Sequence, residues 1–311
     1  MILWRTGVRL RKKLEEQYWL KKALRITFPL SQPEIKPFFI VSSGRSGTTL
    51  LRKYLVNHPL VHLPPESDDL LPYNAKYFIK NNNRGWGFLV ESIVHNFEID
   101  SSFKYWNVSL ADVTEQLKAL PQRSRSYASI IDAIYRAHGR SVGKVNIQVW
   151  GDKTPYLIFG LPWLRAIFPE AKYIHLIRDG RAVVESMMAK QDYQLKAAAV
   201  RWRDAIRLAN SHFESISAKS IVQLKYEAFV SEPATTLNSI ARLLQINNYE
   251  KFLNQTGINL GDDILKHHDN LHRETTTDFV EKWRTRLPQK DIEFLNAFLS
   301  RELSIYNYAL S

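Results

Sequence analysis

The chain has 311 residues, no cysteine, 45% hydrophobic and 12% aromatic residues, and a formal net charge of +12. That is enough apolar material for a large α/β domain, and it excludes a disordered chain, a disulfide scaffold, cysteine–metal sites and thiol catalysis. The positive balance suits an anionic ligand, nucleic acid or an acidic membrane surface, and the lack of cysteine fits a reduced, cytoplasmic compartment.

Residues 1–36 read as a basic leader with nine Lys/Arg against three Glu. Trp4, Val8, Leu14 and Tyr18 recur at helical spacing among basic residues, so 1–25 is expected to touch an anionic membrane surface, to pack on the domain, or to stay partly disordered. The leader has no apolar h-region, and no run of 18 apolar residues occurs in the chain, so neither a secretory signal nor a membrane span is expected. No nucleic-acid motif accompanies the charge, and nucleic acid is not expected as a partner. SQPEIKP (31–37) reads as a linker, with a single domain over 37–311.

Residues 37–51, PFFIVSSGRSGTTLL, carry the strongest signal. The apolar run 38–41 predicts a strand, SSGRSG a loop, and 48–57 a helix; this order aims backbone N–H groups and a helix N-terminus at one spot, an anion site. Arg45 adds a fixed charge. Gly44-Arg45-Ser46 imitates the end of the triphosphate loop G-x-x-x-x-G-K-[ST], but Arg replaces Lys and Phe39 holds the place of the first glycine. A shorter loop for a different phosphate is expected; the bland alternative is an ordinary turn. SGRSGTTLL resembles the 5′-phosphosulfate loop of sulfotransferases that use 3′-phosphoadenosine 5′-phosphosulfate (PAPS), in the form seen in their bacterial and tyrosylprotein branches. The resemblance implies that Arg45, Ser46, Gly47, Thr48 and Thr49 hold the donor's phosphosulfate.

Downstream, NHPLVHLPPESDD (57–69) offers carboxylates and histidines in a Pro-rich turn. The resemblance makes Glu66 the base for the acceptor hydroxyl, although Pro65 interrupts the paired Glu of the tyrosylprotein enzymes and leaves the alignment open by a residue. His58 and His62 are alternative bases because histidine titrates near neutrality, and Asp68 and Asp69 are weaker ones. Residues 62–110 show weak periodicity and read as an insertion over the site or as a packed connection. Their aromatics (Tyr73, Tyr77, Phe78, Trp86, Phe88, Tyr105, Trp106) read as core before acceptor contacts.

Helices are predicted at 111–120 and 126–138, then a strand at 146–150. GDKTP turns off its end, and Lys153 there is placed to neutralise charge on a leaving phosphate, the role the resemblance also implies; Asp152 reads as a turn or orienting residue. After a helix at 156–167, KYIHLI (172–177) is a strand that delivers Arg178, and Asp179 caps a helix over 181–190. Ser186 lies two turns beyond Arg178, so the pair can share one phosphate. The segment resembles the 3′-phosphate element of the same enzymes. Arg181 reads as a structural partner.

Helices follow at 195–217 and 233–245 around a strand at 220–225, and Tyr226 with Glu227 resembles a segment near the nucleotide. Thr275–Thr277, Lys282 and Arg284 resemble the element that closes over the donor. His267 and His268 with Asp262, Asp263 and Asp269 read as a polar loop, and no metal is expected.

Strands alternating with helices predict an α/β fold, a P-loop-like parallel sheet flanked by helices in one domain. The expected activity is sulfuryl transfer from PAPS to a hydroxyl of a carbohydrate, lipid or small metabolite, with protein tyrosine also open. The rivals are a P-loop kinase and an inactive membrane-associated nucleotide-binding module.

Overall fold

FFIV forms the central strand β1 (Phe38–Val41) of the computed structural model, which describes residues 36–67, 70–253 and 280–310. Among these residues β1 joins β2 (Val61–His62), β3 (Val149–Asp152), β4 (Lys172–Ile177) and β5 (Ile221–Lys225) in one five-stranded sheet of order β2-β3-β1-β4-β5. All pairings are parallel, with Phe39 opposite Asp152 on one side and Tyr173 on the other. Parallel strands need long crossovers, which put helices on both faces. This is why β1 is apolar at every position and fully buried. Its side chains alternate between faces: Phe39 and Val41 enter one core with Trp150 and Tyr135, while Phe38 and Ile40 enter another with Leu51, Leu55 and Ile174.

The helices run in chain order as α1 (Thr48–Leu55), α2 (Leu70–Lys80), α3 (Trp86–Glu98), α4 (Ala111–Lys118), α5 (Tyr127–Ser141), α6 (Leu161–Ile167), α7 (Gly180–Gln191), α8 (Leu195–Phe213), α9 (Tyr226–Ser231), α10 (Pro233–Leu244), α11 (Trp283–Arg286) and α12 (Gln289–Ile305). The predicted α/β class and parallel sheet are observed. Phe39 lies inside β1, so the loop that follows is confined to 42–47, shorter than a triphosphate loop.

Local differences have simple causes. The third strand occupies 149–152 rather than 146–150, which places Asp152 at its end and Lys153 just beyond it. Strand β2, of two residues, is too short for a period to register. Residues 62–110 hold two packed helices, α2 and α3, whose buried Leu71, Ala75, Ile79, Val90, Ile93 and Phe97 form an apolar stripe. Phe78 and Trp106 are core, as expected, whereas Tyr73 and Tyr105 are exposed. Helix α12 has no counterpart among the elements predicted from the sequence.

The leader, Asp68, Asp69, Thr275–Thr277, His267, His268 and their acidic neighbours lie outside the described residues. Among the described residues no helix is long and apolar enough to cross a membrane.

Candidate active site

Arg45, Glu66, Lys153, Arg178 and Tyr226 each lie just beyond the carboxyl end of a strand, and Ser186 comes from helix α7. In a parallel sheet this edge is where ligands bind. After β1 the chain turns through Gly44 (φ 89°), Arg45 (φ 54°) and Gly47 (φ 86°), all left-handed. Such a run curls backbone N–H groups inward into an anion-binding nest. Ser42 Oγ accepts the Gly44 N–H at 3.1 Å and Ser46 Oγ donates to the Gly44 carbonyl at 3.1 Å, so the two hydroxyls brace the loop. Helix α1 then starts with Gly47 at its N-cap, no side-chain cap and no acidic residue in its first turn. Its first N–H groups and the positive end of its dipole are left for an external anion. Gly47 has a second reason to be glycine. A Cβ there would lie 2.4 Å from Tyr226 Cδ2, so the tyrosine ring is seated directly on the loop.

Two distant residues meet at Arg45. Its Nε donates to Ser186 Oγ at 3.1 Å, and Arg178 donates to its carbonyl at 3.1 Å. The Arg178 guanidinium also lies 4.6 Å over the Tyr226 ring. Burial and the adjacent Arg178 both lower the Arg45 pKa, the mark of two guanidiniums gathered where an anion would relieve them. Burial raises the pKa of Tyr226, which stays a neutral phenol. Asp179 caps α7 by accepting the Arg181 N–H at 2.9 Å, and the Arg181 side chain grips both oxygens of the same carboxylate. Glu227 accepts the Asp179 N–H at 3.0 Å. Asp179 and Arg181 are thus structural, as expected.

The second half of the site comes from β3. Lys153 is buried, donates to Thr49 Oγ1 at 3.3 Å and forms an ion pair with Glu66 Oε1, whose side chain is 37% exposed. Burial lowers the lysine pKa and Glu66 opposes that shift. Glu66 is held from both sides. Arg52 donates to the Leu63 and Pro64 carbonyls at 3.0 Å each, and Trp106 Nε1 reaches the Glu66 carbonyl at 3.4 Å. Burial lowers the Arg52 pKa to about 10, so it remains a cation at neutral pH. Ser67 donates to Asp152 Oδ2 at 2.5 Å and, through its N–H, to Thr154 Oγ1 at 3.0 Å. Tyr135 donates to the same Asp152 oxygen.

The two histidines go elsewhere. His62 shares a 3.0 Å hydrogen bond with His138, and burial first, then the neighbouring His138 charge, pushes its pKa down to about 2. His58 Nε2 meets the Asn247 carbonyl at 3.1 Å. Arg284 lies over the Trp283 ring at 4.6 Å and pairs with Glu281, and Arg181 also lies over Trp283, at 4.2 Å. Among the described residues no cluster of three or more His, Asp or Glu is arranged to hold a metal ion.

Four contributors were not legible in the sequence: Arg52, Ser67, Tyr135 and Arg201. Arg201 donates to the Ser43 carbonyl at 3.3 Å and lies 4.0 Å over the Tyr156 ring. Each sits in a helix or turn with ordinary spacing, and no local signal marks it.

The loop and the start of α1 thus stand beside Thr49 and Lys153, and Arg178 and Ser186 both reach the loop at Arg45. The sequence profile of the Sulfotransferase family matches residues 37–251. The chain is 27% identical over 267 residues to protein-tyrosine sulfotransferase A of Caenorhabditis elegans, covering 81% of this chain and 62% of that protein. It is 24% identical to protein-tyrosine sulfotransferase 1 of Danio rerio, covering 85% and 70%. In three dimensions it is similar in fold to the sulfotransferase domain from the curacin biosynthetic pathway, with a TM-score of 0.62 and 19% identity over 89% of this chain and 99% of that one. The matched stretch carries all five strands and the residues that converge at their ends, and the chain belongs to the sulfotransferase family.

Proposed function

We propose that the protein is a PAPS-dependent sulfotransferase acting on an acceptor hydroxyl. The observation that carries this reading is the convergence of Arg45, Arg178 and Ser186 with a Glu66–Lys153 pair at one sheet edge. The donor supplies a sulfuryl group whose sulfur bonds to the acceptor oxygen while its bond to the bridging oxygen breaks, that electron pair staying on the 5′-phosphate.

The chain's residues do the rest by position and charge. Glu66, the partly exposed member of its pair, takes the acceptor's proton. Lys153, with Thr49 beside it, neutralises charge on the bridging oxygen. Arg45, Ser46 and the amides of Gly47, Thr48 and Thr49 hold the 5′ end. Arg178 and Ser186 hold the 3′-phosphate, with Tyr226 under Arg178. A 3′-phosphate site distinguishes this donor from ATP, and the loop lacks the first glycine of a triphosphate loop, so the kinase reading has less support.

The acceptor is a carbohydrate, lipid or small-metabolite hydroxyl in this proposal; the relatives' names keep tyrosine peptides in the test. The proposal also places the protein in the cytoplasm, with residues 1–25 at an anionic membrane face, from its lack of cysteine and its basic leader. The test is thermal stabilisation by adenosine 3′,5′-bisphosphate against ATP–Mg²⁺, followed by transfer of label from ³⁵S-PAPS to a panel of phenols, sugars, lipids and tyrosine peptides. Stabilisation by the bisphosphate alone, with label transfer lost in Glu66→Gln, supports the reading; stabilisation by ATP–Mg²⁺ alone overturns it.

A further inference from the structure

Arg178 holds the 3′-phosphate in the reaction just proposed, on which this inference rests. The last paired positions of β4 and β5 are Ile177 and Lys225, so Arg178 and Tyr226 both step out where the sheet ladder ends. A side chain at such a point is aimed only as well as the backbone beneath it is fixed.

Here one peptide unit is held from both sides. The Arg178 carbonyl accepts from Trp202 Nε1 at 3.1 Å, and the N–H of the same peptide, that of Asp179, donates to Glu227 Oε1 at 3.0 Å. Asp179 is the N-cap of α7, where backbone N–H groups have no partner within the helix, so the acceptor has to come from outside it. Trp202 is fully buried in α8, and a Cβ at Gly180 would lie 2.8 Å from its Cδ2, so the indole is fixed by packing. Glu227, in the first turn of α9, is only half-buried and needs a hold of its own.

That hold comes from the segment after α12. Tyr308 donates to Glu227 Oε2 at 2.8 Å, so each carboxylate oxygen serves one partner. Burial first, then the Glu227 charge, raise the Tyr308 pKa, and the phenol stays a donor. Lys225 lies 4.6 Å over the Tyr308 ring. Two residues earlier, Tyr306 accepts from Gln223 of β5 at 3.1 Å and donates to Asn210 of α8, which ties the same segment to the sheet and to a helix.

We propose that Glu227 is a positioning residue for donor binding: latched by Tyr308, it fixes the Arg178–Asp179 peptide and so aims the Arg178 guanidinium at the 3′-phosphate. Both of its oxygens are engaged within the protein, and it acts through the peptide that carries Arg178. Its chain neighbour Tyr226 faces the guanidinium at 4.6 Å, so the first two residues of α9 steady the backbone and the side chain of one arginine.

Isothermal titration with adenosine 3′,5′-bisphosphate and with adenosine 5′-monophosphate tests this, together with amide hydrogen exchange at Asp179 in the ligand-free protein. Glu227→Ala is expected to weaken the bisphosphate by about 10- to 100-fold and the monophosphate by less than about threefold, because only the first has a 3′-phosphate. In that variant the Asp179 amide is expected to exchange at least about tenfold faster, with the amides of β1 unchanged. Glu227→Gln keeps an acceptor for the Asp179 N–H and is expected to restore both readouts to near wild type. Where Glu227→Ala does not fold by circular dichroism, Tyr308→Phe removes the latch alone, and the bisphosphate is expected to weaken by about 3- to 10-fold with the monophosphate unmoved. An equal loss for the two nucleotides, or no loss, overturns the inference. So does an Asp179 amide as protected in Glu227→Ala as in the wild type, a result that needs no nucleotide. Failure of the unaltered protein to bind the bisphosphate is a failure of the sulfotransferase reading, and the exchange result still decides the link between Glu227 and Arg178.

Discussion

Arg45 and Ser186 are 141 positions apart in the chain, yet the arginine Nε donates to the serine hydroxyl at 3.1 Å. The contact links the anion loop after β1 to helix α7 and so couples the two expected phosphate sites. With Arg178 donating to the Arg45 carbonyl, the loop is held by two contacts from within the protein. Preorganisation of this kind reduces the ordering cost of binding.

Removing the hydroxyl tests that link. Ser186→Ala is expected to weaken binding of adenosine 3′,5′-bisphosphate by roughly 10- to 100-fold, the effect of losing one hydrogen bond to a charged group. Adenosine 5′-monophosphate, which has no 3′-phosphate, loses much less. Isothermal titration of both ligands decides; an equal loss for the two assigns Ser186 to loop geometry alone.

Gly47 is constrained by both conformation and space. At φ 86°, with Tyr226 Cδ2 2.4 Å from where a Cβ would sit, Gly47→Ala is expected to destabilise the fold by about 2–4 kcal/mol. Tyr226→Ala in the same chain relieves the clash but not the φ strain, so urea unfolding should show partial recovery. Full wild-type stability in Gly47→Ala contradicts this account.

The Asp179–Arg181 pair is buried and two-pronged, with Arg181 also donating to Asn296 at 2.8 Å. Arg181→Ala leaves an uncompensated buried carboxylate at the start of α7. A loss of about 3–5 kcal/mol is expected in chemical denaturation, against near neutrality for a solvated pair.

Acid sensitivity follows from buried imidazoles. Burial pushes His62 down to about 2, and His138 and His175 to about 3. In the unfolded chain each takes a proton near about pH 6.5, while the folded state does not. The unfolded state then binds more protons, so stability is full above about pH 6.5 and falls as pH drops through the window below it. Each such histidine adds a slope of up to about 1.4 kcal/mol per pH unit. Melting temperatures at pH 7.5, 6.5 and 5.5 should fall steadily, and His175→Gln should flatten the trend; a flat wild-type profile contradicts the prediction.

Much of the site was legible because its parts are local. A strand, a Gly/Ser loop and a helix in SSGRSGTT form an anion cradle wherever they occur, and LIRDGRAVVES and GDKTP each hold a strand end with its cation. The α/β class followed from the same alternation. The helices α2 and α3 were hidden because their buried faces include Asn74 and stretches broken by Pro72 and Gly87, which blur the period. The register of β3 was displaced by the apolar Ile147 just before it.

By itself the sequence determined the strand–loop–helix cradle, the residues at each strand end and the resemblance to one enzyme family, since those depend on neighbours within a dozen positions. The tertiary structure decided what pairs with what. Parallel pairing brings the ends of β1, β3 and β4 side by side, so Arg45 meets Ser186 and Arg178, and Lys153 meets Glu66. It also sends His58 and His62 into the core, away from that group, and ties Asp152 to the turn that carries Glu66 through Ser67. The physical reason is that burial and charge balance belong to the assembled sheet edge: Lys153 and Glu66 stand 87 positions apart, and only the fold brings the buried cation to its anion.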